Sequence, residues 1–220
     1  STVNSDPQKR KNRLWINNGA ENGSDPSFTE MAEKYGIANE DQTVNAGFFD
    51  YDRDGYIDLY VLNNTVSERM TAAYRTKIVD GSAPNNDKLY HNNGDGTFSD
   101  VTRQAGIVIE GFGLGLAFSD LNKDGYPDIY VSNDFISNDL MYINRGNGTF
   151  TNEISKYLSY QSKSSMGNDV ADVNNDGNPD IMTLDMMPET YYKKKQTING
   201  FSYIFYVYDQ KFGFEHQYLR

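Results

Sequence analysis

The chain has 220 residues, 14% of them aromatic, with a mean hydropathy of −0.71 and a formal net charge of −11. It contains no cysteine, which excludes a disulfide scaffold and any cysteine-based zinc site or nucleophile. No run approaches the roughly 18 apolar residues of a membrane-spanning helix, and 17 Tyr and 12 Phe are too many for a disordered polar chain.

Residues 1–12 are polar and read as a linker, with no visible signal peptide. Two short blocks then recur. Leu14-Trp15-Ile16-Asn17 and Phe28-Thr29-Glu30 return as Leu89-Tyr90-His91-Asn92 and Phe98-Ser99-Asp100, and again as Met141-Tyr142-Ile143-Asn144 and Phe150-Thr151-Asn152. Their aromatic and β-branched residues predict strands. The Gly- and Asn-rich segments 92–97 and 144–149 join the later pairs and tolerate the positive φ of tight hairpin turns. Glu30 to Tyr35 follows as a turn of helical flavour.

Each block pair precedes an acidic loop. The loops are Asp50-Tyr51-Asp52-Arg53-Asp54-Gly55-Tyr56-Ile57-Asp58, Asp120-Leu121-Asn122-Lys123-Asp124-Gly125-Tyr126-Pro127-Asp128 and Asp172-Val173-Asn174-Asn175-Asp176-Gly177-Asn178-Pro179-Asp180. Phe28, Phe98 and Phe150 each stand 22 positions before the first Asp of the loop that follows. Strand-like runs flank every loop: residues 47–49 and 59–61, 117–119 and 129–131, 169–171 and 181–183. The unit is strand A, acidic loop, strand B, connection, strand C, Gly-rich turn and strand D. Four antiparallel strands repeated about every 50–70 residues describe a β-propeller blade.

The expected fold is therefore all-β, with about three blade equivalents of a β-propeller in residues 13–185. The chain opens on strands C and D of one blade and closes after A and B of another. Propellers typically close with about four to eight blades, so this chain is expected to be part of a larger ring. Between the first and second repeats the B–C connection is 18 residues longer than between the second and third. Residues 67–77 within it could form a short helix. It reads as a tolerated surface insertion or as a partner-binding loop.

Ten of the 31 acidic residues lie in the three loops; outside them 21 acids face 20 bases. Such concentrated charge attracts cations and repels nucleic acid. Calcium takes about six to eight oxygen ligands. Asp50, Asp52, Asp54 and Asp58 offer side-chain oxygens at positions 1, 3, 5 and 9, and Tyr56 a backbone carbonyl at position 7. Asp120, Asn122, Asp124, Tyr126 and Asp128 repeat this, as do Asp172, Asn174, Asp176, Asn178 and Asp180. Gly55, Gly125 and Gly177 at position 6 permit the sharp turn. Three calcium sites are expected, the four-Asp first loop binding most tightly. An EF-hand needs a bidentate acid at position 12, where this chain has Val61, Val131 and Thr183.

These loops, alternating with Leu-Tyr-x-Asn and a Gly-rich turn, resemble the FG-GAP or VCBS repeat of integrin-α-like β-propellers. Residues 184–189, 192–195 and 213–220 resemble large bacterial surface proteins of the ASPIC/UnbV (cartilage acidic protein-like) type. The resemblance implies a seven- or eight-bladed ring when complete, with calcium held in the A–B hairpins as a structural ion. It places the protein outside the cell or at the bacterial outer-membrane surface. The expected role is a binding or scaffold module for a protein or glycan partner. An accessory subunit of an outer-membrane uptake or secretion complex is the alternative.

No nucleophile elbow, P-loop or dinucleotide fingerprint is present, so a non-enzymatic role is expected. Some polysaccharide lyases are calcium-bearing propellers of related repeat type, which leaves an enzyme as the further alternative. His91 reads as an exposed or packed strand residue, and His216 lies in an aromatic-rich segment. That segment, 186–220, reads as an inter-blade insertion leading to a further blade, its aromatics either packing on the propeller or forming a platform for sugars or a partner.

Overall fold

The computed structural model describes residues 6–20, 25–65, 72, 75–134, 137–162 and 164–185. Two four-stranded antiparallel sheets form its centre. The first runs in order β3 (Thr43–Phe49), β4 (Asp58–Asn63), β5 (Lys88–Asn92) and β6 (Phe98–Asp100). The second repeats it with β7 (Gly113–Ser119), β8 (Asp128–Asn133), β9 (Leu140–Asn144) and β10 (Phe150–Asn152). Two antiparallel hairpins flank them: β1 (Trp15–Asn17) with β2 (Phe28–Glu30), and β11 (Ser165–Ala171) with β12 (Asp180–Asp185). The fold is all-β, and the strand phase expected from the repeat is found: C and D first, two full A–D sheets, then A and B.

The second strand of each full sheet is buried along its whole length. Successive strand residues point to opposite faces. Leu59 and Val61 therefore enter a core with Tyr90, Ala32 and Ile37, while Tyr60 and Leu62 enter another with Ile129, Val131, Leu140 and Tyr142. On the far side Tyr130, Met141 and Ile143 pack with Ile154 and Ile181. Each full sheet is thus covered on both faces by its neighbours. This is why these strands read as continuous apolar runs and not as polar–apolar alternation.

Neighbouring sheets meet along their first strands, β3 against β7 and β7 against β11. Phe49 and Phe118 stack with ring centroids 3.9 Å apart and planes 6° from parallel. Gly115 lies so close to β11 that a Cβ there would stand 2.8 Å from Gly167 Cα and Asn168 N. The first strands extend further toward the N-terminus than expected, by four residues each. Each shifts register at the same place, between Thr43 and Asn45, Gly113 and Gly115, and Ser165 and Gly167. A bulge interrupts the two-residue period there and hides the strand from pattern reading.

The turn after β2 is the single-turn helix α1 (Ala32–Tyr35), closed by Gly36 at φ 79°. Its counterpart after β10 is α2 (Ile154–Tyr157). The short helix expected over 67–77 falls largely, and the aromatic segment 186–220 entirely, outside the described residues. No described helix is long and apolar enough to cross a membrane.

Candidate metal loops

The three acidic loops occupy one structural position, the hairpin between the first and second strands of a sheet. Their backbones match. The fourth residue is left-handed in each, with φ of 63° at Arg53, 60° at Lys123 and 59° at Asn175. The sixth is Gly at φ 90°, 93° and 82°. These are positions where a side chain is strained and glycine is not.

Internal hydrogen bonds follow the same plan. The position-1 carboxylate accepts from the position-6 N–H: Gly55 to Asp50 at 3.1 Å, Gly125 to Asp120 at 2.8 Å, Gly177 to Asp172 at 2.7 Å. The position-5 carboxylate accepts from the position-7 N–H, at 2.8 Å for Tyr56, 2.9 Å for Tyr126 and 2.7 Å for Asn178. The position-9 carboxylate lies at the base and accepts from the position-2 N–H: Tyr51 to Asp58, Leu121 to Asp128, Val173 to Asp180. In the two full sheets its other oxygen accepts from strand C, Asn92 to Asp58 and Asn144 to Asp128, both at 2.8 Å. Asp58 and Asp128 are fully buried. The position-9 Asp therefore ties the loop to the third strand as well as closing it.

Carboxylate oxygens of Asp50, Asp52 and Asp58 lie within 4.8 Å of one another. Oδ1 of Asp50 is buried without a hydrogen-bond partner. A buried carboxylate oxygen with no donor is costly unless a cation meets it. Burial pushes Asp58 up to about 6, against the N–H groups of Asn92 and Tyr51 that favour its charged form. Burial raises Asp52 too, with Asp54 beside it adding to the effect. Burial also raises Asp128, whereas exposed Asp176 is lowered by the Asn178 N–H. The donor set is hard, oxygen-rich and self-repelling, and it fits a divalent cation. Asp50, Asp52, Asp54 and Asp58 would hold it in the first loop, with the Tyr56 carbonyl. Asp120, Asn122, Asp124 and Asp128, and Asp172, Asn174, Asp176 and Asp180, would do so in the others, with the carbonyls of Tyr126 and Asn178.

Successive loops touch. Arg53 Nη1 donates to the Gly125 carbonyl at 3.1 Å, and its guanidinium stands 5.6 Å from the Tyr126 ring centroid. Lys123 Nζ donates to Asn178 Oδ1 at 2.5 Å. The left-handed fourth residue of the first and of the second loop thus leans on the loop that follows.

Two features escaped the sequence reading. His91 places Nδ1 3.4 Å from Asp52 Oδ2 and 3.3 Å from Asp58 Oδ1. Only strand pairing brings it there, 33 residues beyond Asp58. The other is a repeated buried pair at the opposite end of the sheets. The Tyr60 hydroxyl donates to Asp87 at 3.0 Å, and the Tyr130 hydroxyl to Asp139 at 2.8 Å. The second oxygen of each Asp accepts a strand N–H, from Asn63 or Asn133. Its sequence trace is an Asn-Asp dipeptide just before strand C, at 86–87 and 138–139.

Meandering four-stranded sheets, each with an acidic nine-residue hairpin between its first two strands, define an all-β repeat protein. The FG-GAP-like repeat family matches twice, over residues 78–131 and 120–183, so the chain carries FG-GAP-like repeats. The two matched stretches span the second and third loops. The search of curated proteins returned no match.

Proposed function

We propose that this chain is a calcium-stabilised β-propeller segment acting as a binding or scaffold module for a protein or glycan partner outside the cell. The observation that carries the reading is the threefold recurrence of one loop backbone at one strand junction, with the partnerless buried oxygen of Asp50 inside the first copy. Packing of the sheets through their first strands supports propeller geometry, because inner strands converge near a propeller's axis. FG-GAP-like repeats support a binding module over an enzyme. Extracellular calcium modules commonly have dissociation constants of about 10⁻⁴–10⁻³ M, which suits a compartment with millimolar calcium. The bacterial surface location and the ASPIC/UnbV likeness belong to this proposal and rest on the sequence resemblance.

Calcium titration by isothermal calorimetry on the wild type and on Asp50→Ala, Asp120→Ala and Asp172→Ala tests the reading. Three sites are expected, each variant losing one, with the largest affinity in the first loop. Absence of calcium binding to the wild type at millimolar concentration would refute it. Affinity purification from native outer membranes, with bound glycans and proteins identified by mass spectrometry, addresses the partner.

A further inference from the structure

The first loop differs from the other two by a side chain outside its nine residues. His91 lies on β5, next to Asn92, whose N–H holds Asp58. At the same place on β9, next to Asn144, the second sheet has Ile143. The His91 Nδ1 is shut off from solvent and hydrogen-bonds to nothing, with carboxylate oxygens of Asp58 and Asp52 at 3.3 and 3.4 Å. Tyr51 meets the imidazole edge-on, centroids 6.1 Å apart and planes at 81°, which fixes the ring. Ligand atoms of Asp52, Asp54 and His91 all lie within 4.8 Å of one another, as do those of Asp50, Asp52 and Asp58. Asp52 is common to both groups.

We propose that the first loop is a mixed nitrogen–oxygen site that accepts a zinc-class divalent ion through His91. The second loop, with Ile143 in place of the imidazole, is an all-oxygen site for calcium. This rests on the reading of the loops as metal sites and adds a selectivity to one of them. Imidazole suits zinc, copper, iron and nickel, whereas carboxylate and carbonyl oxygens suit calcium and magnesium. A first-row ion bound at Asp52 has a nitrogen donor within reach in the first loop. In the second loop the side chain at that position offers only hydrocarbon. Calcium gains little from the imidazole, so His91 separates the two ion classes.

The test compares wild type with His91→Ile, which copies the second sheet, and with His91→Phe, which keeps a ring against Tyr51 without a nitrogen. Zinc and calcium affinities are measured by calorimetry. Cobalt(II)-loaded protein is inspected by proton NMR for the far-shifted exchangeable imidazole resonance of a metal-bound histidine. Both variants are expected to lose zinc affinity at the first loop by about tenfold or more while calcium affinity changes by less than about twofold. The shifted resonance should vanish in both. Unchanged zinc affinity and an unchanged resonance in the variants would overturn the proposal; if Asp50→Ala still removes one calcium site, the metal-loop reading survives. Failure of zinc to bind the wild-type first loop, with calcium binding intact, overturns it too. Failure of both ions to bind overturns both readings.

Discussion

Arg53 in the first acidic loop donates to the backbone carbonyl of Gly125 in the second, across 72 residues of sequence. The guanidinium also faces the Tyr126 ring. One side chain thus fixes the peptide that precedes the carbonyl-bearing Tyr126. Arg53→Ala is expected to cost about 0.5–1 kcal/mol in urea denaturation, the range of an exposed cation–π contact plus one hydrogen bond. Arg53→Lys should recover little, because an ammonium lacks the planar face that stacks. Full recovery by lysine would show that charge alone matters.

Chelation should expose the strain of the loops. With a metal ion in tenfold excess over its dissociation constant, each site adds about 1.4 kcal/mol to stability. Three sites would then raise the melting temperature by roughly 10 °C for a domain of this size. Scanning calorimetry with and without excess EDTA, metal loss being confirmed by elemental assay, measures this. An unchanged melt in the stripped protein would remove the structural role of the ion.

The buried Tyr–Asp pairs make stability depend on pH in a defined direction. Burial pushes Asp87 up to about 7 and Asp139 up to about 6, against the hydrogen bonds each accepts. An unfolded Asp titrates near about 3.9. Between that pH and the raised values the folded state holds protons that the unfolded state has released, so stability falls as pH rises. The contribution is present in full below about pH 4 and is lost above about pH 7. Asp87→Asn cannot ionise; its carbonyl oxygen still accepts the Asn63 N–H, and its amide NH2 can donate to the Tyr60 hydroxyl. Its urea midpoint should lose part of the wild-type decline between pH 5 and 8, and parallel profiles would count against the assignment.

Glu110 anchors the long B–C connection. It is fully buried, and its carboxylate takes both Arg75 nitrogens, at 2.6 and 2.7 Å, and the Ile78 N–H at 2.6 Å. Arg75 keeps a solvent-exposed quarter, so it can rehydrate when its partner goes. Glu110→Gln is therefore expected to cost about 2–3 kcal/mol, below the usual range for a fully buried pair. Denaturant unfolding gives the value, and faster proteolysis within 75–85 should accompany it.

At Gly115 the limit is space. A methyl group would press on the backbone of β11, which cannot rotate away as a side chain can. Gly115→Ala should destabilise by about 1–3 kcal/mol through overpacking. The same change at Gly19, where nothing lies within 4 Å but φ is 81°, should show only the smaller conformational cost. Equal losses at both positions would rule out packing as the cause.

The repeat could be read from the chain because each loop carries its own instructions. Aspartates at positions 1, 5 and 9, Asp or Asn at position 3 and glycine at position 6 fix a local turn within nine residues, and the structure gives the three loops one backbone. Strands B, C and D were legible for the same reason, with apolar and aromatic runs closed by Gly-rich turns. The first halves of the A strands were not, because a register shift interrupts the period in each, and in β7 Gly115 serves the approach of β11.

The sequence alone determined the strand phase, the acidic hairpins and the oxygen donors, since all of these depend on residues close together in the chain. Tertiary structure alone decided what meets the loops from elsewhere. It brought His91 to Asp52 and Asp58, Arg53 to Gly125, and Tyr60 to Asp87. Those contacts depend on strand register and on sheets packing face to face. A pairing across 72 residues, such as Arg53 with Gly125, leaves no periodic trace in either partner.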